Sequence, residues 1–297
     1  MKTIYHFSGA GNDFVVIDGR EGNVSAFREV PCIEALCREY KTDGLMILGM
    51  PGQAGHDGEA PAGQDVVADS DRPSVDFTME FYNPDGSGGM MCGNGGRCIV
   101  AFADYLGIRP AEGKRSAEGV TAAPGVFLFR APDGLHTGEI LERPEDGLWK
   151  VRIKMIDVQG ITPMLGGYFL NTGTRHIVKF VDDVEQVDVD AEGRALRWDP
   201  AFAPIGTNVN FVHVAPDGLH VRTFEKGVEG ETLACGTGLT ACALVAHHTG
   251  VPAATPGAYR LRARQDWLSV DFMPGPDEKF TDVYLTGPAR LVRIAGA

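Results

Sequence analysis

One arrangement occurs twice in this chain, and it limits what the chain can fold into. A strand-like run ends in a turn, a Cys-Gly-x-Gly follows, and a helix-forming stretch with a second cysteine comes next. In the first copy Val75, Phe77, Met79 and Phe81 alternate with Asp76, Thr78, Glu80 and Tyr82, the period of a half-buried strand. That run leads through Asn83-Pro84-Asp85-Gly86-Ser87 into Cys92-Gly93-Asn94-Gly95, after which Cys98, Phe102 and Tyr105 share a helical face and Gly107 can end the helix. In the second copy Glu231-Thr232-Leu233-Ala234 precedes Cys235-Gly236-Thr237-Gly238. Leu239, Cys242, Ala243 and Ala246 then share a face, and Gly250 and Pro252 stop the helix. The copies stand close to half a chain length apart, which predicts two similar α+β domains with their Cys-Gly-x-Gly loops facing a shared cleft.

The rest of the sequence fits that plan. Ile4 and Phe7, then Phe14 to Ile17, flank the turn Gly9-Ala10-Gly11-Asn12-Asp13 as a pair of strands, and residues 31 to 40 read as a helix with Cys37 on its apolar face. Hairpins are predicted around Pro132-Asp133-Gly134 and Pro216-Asp217-Gly218, and strands close the chain over 261–272 and 283–294. Residues 51 to 73 are rich in Gly, Ala, Pro and Asp with no apolar period, and read as a solvated loop.

Charge and composition exclude several classes of function. A net charge of −13 disfavours nucleic acid and anionic membrane surfaces as partners. No apolar stretch approaches the ~20 residues of a membrane span, and the N-terminus lacks the apolar core of a signal peptide, so the expected location is the cytoplasm. The six cysteines include no Cys-x-x-Cys and no zinc-finger spacing, so no metal is expected.

Cysteine at a helix start has a specific chemistry. The first backbone N–H groups of a helix lack internal partners and the dipole there favours negative charge, so a thiol is stabilised as thiolate. A carboxylate can sit on the same N–H groups, and glycines let the backbone come close. Two such sites, Cys92 and Cys235, can invert a carbon: one removes a proton as thiolate and the other delivers one as thiol. Cys98 and Cys242, on apolar helix faces, are better read as core.

At these residues the sequence resembles the diaminopimelate epimerase family of two-cysteine epimerases and racemases. The resemblance rests on Gly9-Ala10-Gly11-Asn12-Asp13-Phe14, 83–87, 91–98, Gly206-Thr207-Asn208-Val209-Asn210-Phe211-Val212 and 231–238, in the family's order across nearly the whole chain. It implies interconversion of LL- and meso-2,6-diaminopimelate in lysine and peptidoglycan precursor synthesis, no cofactor, and a homodimer. It also implies two pseudo-symmetric domains, each a mostly antiparallel sheet rolled around a central helix. Those domains are expected over 1–136 with 288–297, and over 137–287.

Residue by residue, the resemblance makes Cys92 and Cys235 catalytic, with His176 and Glu225 poising the thiols. Gly93, Asn94, Gly236 and Thr237 match donors to the reacting carboxylate, and Asn12, Asn83, Asn208 and Glu225 match substrate-binding side chains. Two positions depart from the family pattern. Thr174 stands where Asn or Ser is usual before a Pro-His, and Lys226 replaces an arginine that would grip a carboxylate bidentately. Both are expected to contact substrate, with Arg175 a candidate to replace the missing guanidinium. Proline or hydroxyproline epimerases usually carry His after the first Cys-Gly and Asp before the second cysteine, where this chain has Asn94 and Ala234. A redox or metal-binding protein and a non-catalytic binding module are the competing readings from other classes.

Overall fold

A computed structural model describes residues 2–52, 75–88 and 91–296. Beyond Pro51 and Gly52, the loop expected over 51–73 lies outside the described residues. Contacts divide the chain into two units, Met1–Ile153 with Ala289–Ala297, and Lys154–Pro288.

The first unit opens with strands β1 (Ile4–Gly9) and β2 (Asn12–Asp18), an antiparallel hairpin. Its two turn residues, Ala10 and Gly11, both have positive φ (61° and 96°), which matches the right-handed twist of the strands. Helix α1 (Val30–Tyr40) crosses over to β3 (Gly44–Gly49), which pairs parallel to β2. Ile33, Leu36 and Cys37 of α1 pack on Val15, Ile17, Leu45 and Ile47. Strand β4 (Phe77–Tyr82) runs antiparallel to β3 and leads towards helix α2 (Gly93–Tyr105). A small ribbon follows, β5 (Arg115–Ala117) with β6 (Val120–Ala122). Then β7 (Phe127–Ala131) pairs parallel to β4, and β8 (Gly134–Glu145) and β9 (Leu148–Lys154) extend the antiparallel ladder.

The second unit repeats this order of pairings. After β10 (Val158–Gln159) and β11 (Thr162–Met164), the antiparallel pair β12 (Gly167–Asn171) and β13 (Arg175–Phe180) corresponds to β1 and β2. Helix α3 (Val189–Arg197) crosses over to β14 (Asn208–Ala215), parallel to β13. Strand β15 (Gly218–Glu225) is antiparallel to β14 and is followed by β16 (Gly230–Thr232) and helix α4 (Gly236–His248). Strand β17 (Ala258–Arg262) lies parallel to β15, and β18 (Trp267–Pro274) and β19 (Lys279–Ala295) complete the antiparallel end. The sequence of pairings, antiparallel, parallel, antiparallel, parallel and twice antiparallel, is therefore the same in both units.

Each unit is a mostly antiparallel sheet around one central helix. Helix α2 touches β1, β2, β3 and β8, and α4 touches β12 to β15, β17 and β18. Both helices are buried on all sides rather than along the single face the spacing predicts: every residue from Gly93 to Asp104 is buried. Helix α4 is buried from Gly238 to Ala246. A helix apolar all round belongs inside a sheet. Tyr105, expected on the buried face of α2, is instead 42% exposed at its end.

The division between the units falls later than the boundary expected at 136/137, because that boundary cuts β8, whose ladder to β7 and β9 is continuous. From Ala289 the last strand belongs to the first unit, where Arg290 to Ala295 pair with β1. Leu291 also donates to the Gly147 carbonyl in the β8–β9 turn (2.8 Å).

Candidate active site

Cys92 and Cys235 occupy the same position in their units, the residue capping the N-terminus of the central helix, both with extended backbone. In each, the next residues turn into the helix with their first N–H groups unpaired by the helix itself. The two surroundings differ in how the polar groups are held.

At Cys92 the sulfur accepts from the Gly95 N–H at 3.2 Å, as an N-capping side chain does. Arg97, one turn on, is fully buried. Its guanidinium donates to the Gly93 carbonyl (3.2 Å), the Gly9 carbonyl (3.4 Å) and Asn94 Oδ1 (2.8 Å). Asn94 in turn donates through Nδ2 to Asn12 Oδ1. A guanidinium can only donate, so it orients the Asn94 amide, which orients Asn12. Gly9 must lack a side chain: a Cβ there would lie 2.8 Å from the Asn94 carbonyl oxygen and 2.9 Å from Cys98 Sγ. Asn12, Gly93 and Asn94 are thus brought together with Cys92. Asn83 lies in the turn after β4, where its amide donates to Ser87 Oγ (3.0 Å).

At Cys235 the sulfur lies 3.5 Å from Thr237 Oγ1, and the side chain makes no capping bond to the helix. Thr237 Oγ1 is 3.0 Å from Nε2 of His176, which is fully buried on β13. Thr174 Oγ1 lies 3.0 Å from the same nitrogen. Asn208 donates to Thr174 Oγ1 (3.1 Å) and to the Arg175 carbonyl (2.8 Å), and accepts from the Lys226 N–H (2.8 Å). Burial pushes the His176 pKa down to about 3, with the positive charge of Lys226 acting in the same direction. Glu225, at the end of β15, accepts from the Thr232 hydroxyl (2.9 Å). Of the residues expected in this half, Thr174, His176, Asn208, Thr237 and Cys235 form one connected set, to which Lys226 contributes its backbone.

Cys98 and Cys242 are fully buried, and burial raises both thiol pKa values well above the ordinary range. They fill core and stay protonated. Sequence reasoning assigned no role to Arg97 or Asn210. The available signal was a polar residue set among apolar ones: Arg97 before Cys98-Ile99-Val100, and Asn210 between Val209 and Phe211. Among the described residues no group of three or more His, Cys, Asp or Glu side chains could hold a metal ion, and no helix is long and apolar enough to cross a membrane.

Residues 168–264 match the family model for diaminopimelate epimerase. The chain is 38% identical to the diaminopimelate epimerase of Aquifex aeolicus, covering 95% of this chain and 93% of that one. It is 35% identical to the diaminopimelate epimerase of Chlorobaculum tepidum, covering 96% and 97%. Among solved structures, a hydroxyproline epimerase from Agrobacterium vitis with bound trans-4-hydroxy-L-proline superposes with a TM-score of 0.59 over 99% of this chain and 91% of that one. At 14% identity that likeness speaks for the fold alone.

Proposed function

We infer that this chain, which belongs to the diaminopimelate epimerase family, is an isomerase that interconverts LL- and meso-2,6-diaminopimelate on the way to lysine. The observation that carries the mechanism is the placement of Cys92 and Cys235, each at the N-terminus of a buried central helix. Inversion at a tetrahedral carbon requires a proton to leave one face and another to arrive at the opposite face, so two groups are needed. Cys92 acts as acid and Cys235 as base in one direction, and the roles exchange in the other.

The α-proton of an amino acid is very weakly acidic, so charge that develops on the α-carbon and its carboxylate must be stabilised where it forms. N–H groups at Gly93 and Asn94, and at Gly236 and Thr237, supply oriented donors backed by the helix dipoles. The relay from Arg97 through Asn94 leaves the NH2 of Asn12 as the end that meets an acceptor. Asn83, Asn208, Thr174 and Glu225 complete the substrate contacts in this reading, with Lys226 as a point charge for the distal carboxylate. Arg175 is the candidate second cation: Arg175→Ala with unchanged substrate affinity would remove it. No cofactor takes part, and the enzyme works in the cytoplasm as a homodimer, which sedimentation of the purified chain tests.

Incubation with LL-diaminopimelate in deuterated water tests the activity. Deuterium is expected at one α-carbon while the meso isomer accumulates. Exchange with proline or hydroxyproline and none with diaminopimelate would sink this assignment in favour of the proline-type enzymes.

A further inference from the structure

The buried network behind Cys235 determines which nitrogen of His176 carries the proton. Asn210, fully buried on β14, places its Nδ2 3.0 Å from the Ile177 carbonyl oxygen and its Oδ1 2.9 Å from the Thr223 hydroxyl. A carbonyl oxygen only accepts, so the amide fits one way round. Its second N–H then faces His176 Nδ1 at 3.1 Å. Nδ1 must accept, so it bears no hydrogen, and the hydrogen of the neutral ring sits on Nε2. Nε2 faces Thr174 and Thr237, each at 3.0 Å. The Asn208 amide is fixed by the same logic, between the Arg175 carbonyl and the Lys226 N–H, and it already donates to Thr174. Gly238 leaves the space this arrangement needs, because a Cβ there would collide with Asn210 Oδ1.

We infer that Asn210 is a positioning residue that locks His176 as a neutral Nε2–H donor, so that His176 supports Cys235 through the Thr237 hydroxyl and never serves as its base. In this arrangement Nε2–H donates to Thr237 Oγ1 and the Thr237 hydroxyl donates to the Cys235 sulfur. Donors aligned in one direction strengthen one another and favour the thiolate over the thiol. No proton moves along the chain, since both ring nitrogens are already committed. The charged group acting on the ring is Lys226, just after β15, and Cys235, at the start of α4, is reached through Thr237. A positive ring would have to turn the Asn210 amide and break its bond to Ile177.

The tautomer stands on hydrogen-bond chemistry alone; its bearing on Cys235 rests on the function proposed above. The test separates the two. In protein labelled with 15N-histidine, the His176 resonances are identified by their loss in His176→Gln, and long-range 1H–15N correlation reads each ring nitrogen. The expected result is an unprotonated Nδ1 and a protonated Nε2, unchanged between about pH 5 and about pH 9. A protonated Nδ1, or titration of the ring in that window, overturns the lock. Asn210→Asp supplies an acceptor in place of the donor and moves the hydrogen to Nδ1. With diaminopimelate as substrate, kcat should fall at least about tenfold with KM little changed, and an acidic ionisation should enter the pH profile. A variant with the moved hydrogen and the parent profile would leave the lock intact and overturn its support of Cys235. Absence of epimerase activity in the parent would instead overturn the function, while the nitrogen resonances still decide the lock.

Discussion

The two helix N-termini share a plan and differ in the source of their polarity. The residue five positions after each cysteine shows it most directly. In the first unit it is Arg97, which bonds back to the Gly93 carbonyl; in the second it is Thr240, whose hydroxyl bonds back to the equivalent Gly236 carbonyl at 3.0 Å. The first unit therefore holds its cysteine beside a fully buried cation that also fixes Asn94 and Asn12. The second holds its cysteine beside an uncharged network of His176, Asn208, Asn210 and three threonines, Thr174, Thr223 and Thr237. A sheet wrapped on a central helix tolerates either solution, provided every buried donor and acceptor is answered. The fold fixes where the thiol stands, and the side chains around it fix how that thiol is tuned.

Removing either sulfur tests the shared plan with the largest effect. Cys92→Ala and Cys235→Ala should each lower kcat for epimerisation by about 10²–10⁴-fold, in keeping with loss of one proton-transfer group. Equal losses support a symmetric pair, whereas an intact rate in one variant breaks the equivalence. Next in size is Arg97→Met. It removes three hydrogen bonds made by a buried cation and should cost about 3 kcal/mol or more in urea unfolding, while Thr240→Val should cost about 1 kcal/mol. Similar values for the two would show that the charge adds nothing beyond its hydrogen bonds.

Gly238→Ala drives a Cβ into Asn210 and should lower stability by about 1–3 kcal/mol. At the matching position, Gly95→Ala meets Cys92 Sγ at 3.3 Å and should cost less. The last effect concerns pH. His176 has a folded pKa of about 3, below its unfolded value near ~6.5, so the unfolded chain binds the extra proton between these values. Stability should fall with decreasing pH in that window, by at most about 1.4 kcal/mol per unit from this group. His176→Gln should flatten that part of the profile, and an unchanged slope would remove His176 as its source.

Much of the fold can be read directly from the chain. The alternation at 75–82, the hairpin turns at Pro132-Asp133-Gly134 and Pro216-Asp217-Gly218, and both cysteine-led helices carry local signals that the tertiary structure keeps. The full burial of α2 and α4 was less legible. Small residues such as Gly95, Gly96, Ala101 and Ala103 let strands approach from every side, and a hydropathy period records only the larger side chains. Helix α3 went unread because Gly193 and its many charges mask the apolar contacts that hold it. Gly193 is small so that the Phe224 ring can lie against the helix, a demand set by a strand distant in sequence. The break at 263–266 between β17 and β18 falls inside the strand expected over 261–272. Within the site, residue types marked the cysteines and the family resemblance marked His176, but the direction of each hydrogen bond depends on carbonyl groups that only the folded backbone brings into place.

The pairing of β1 with the end of β19 has a consequence for how the molecule is made. Residues 4–8 are synthesised well before their partners at 290–295. Strand β1 therefore waits, with one side unanswered, while the residues between them are made. Lys154–Pro288 can pack as soon as its own residues have been made, whereas the other unit closes its sheet only when residues 290–295 have followed.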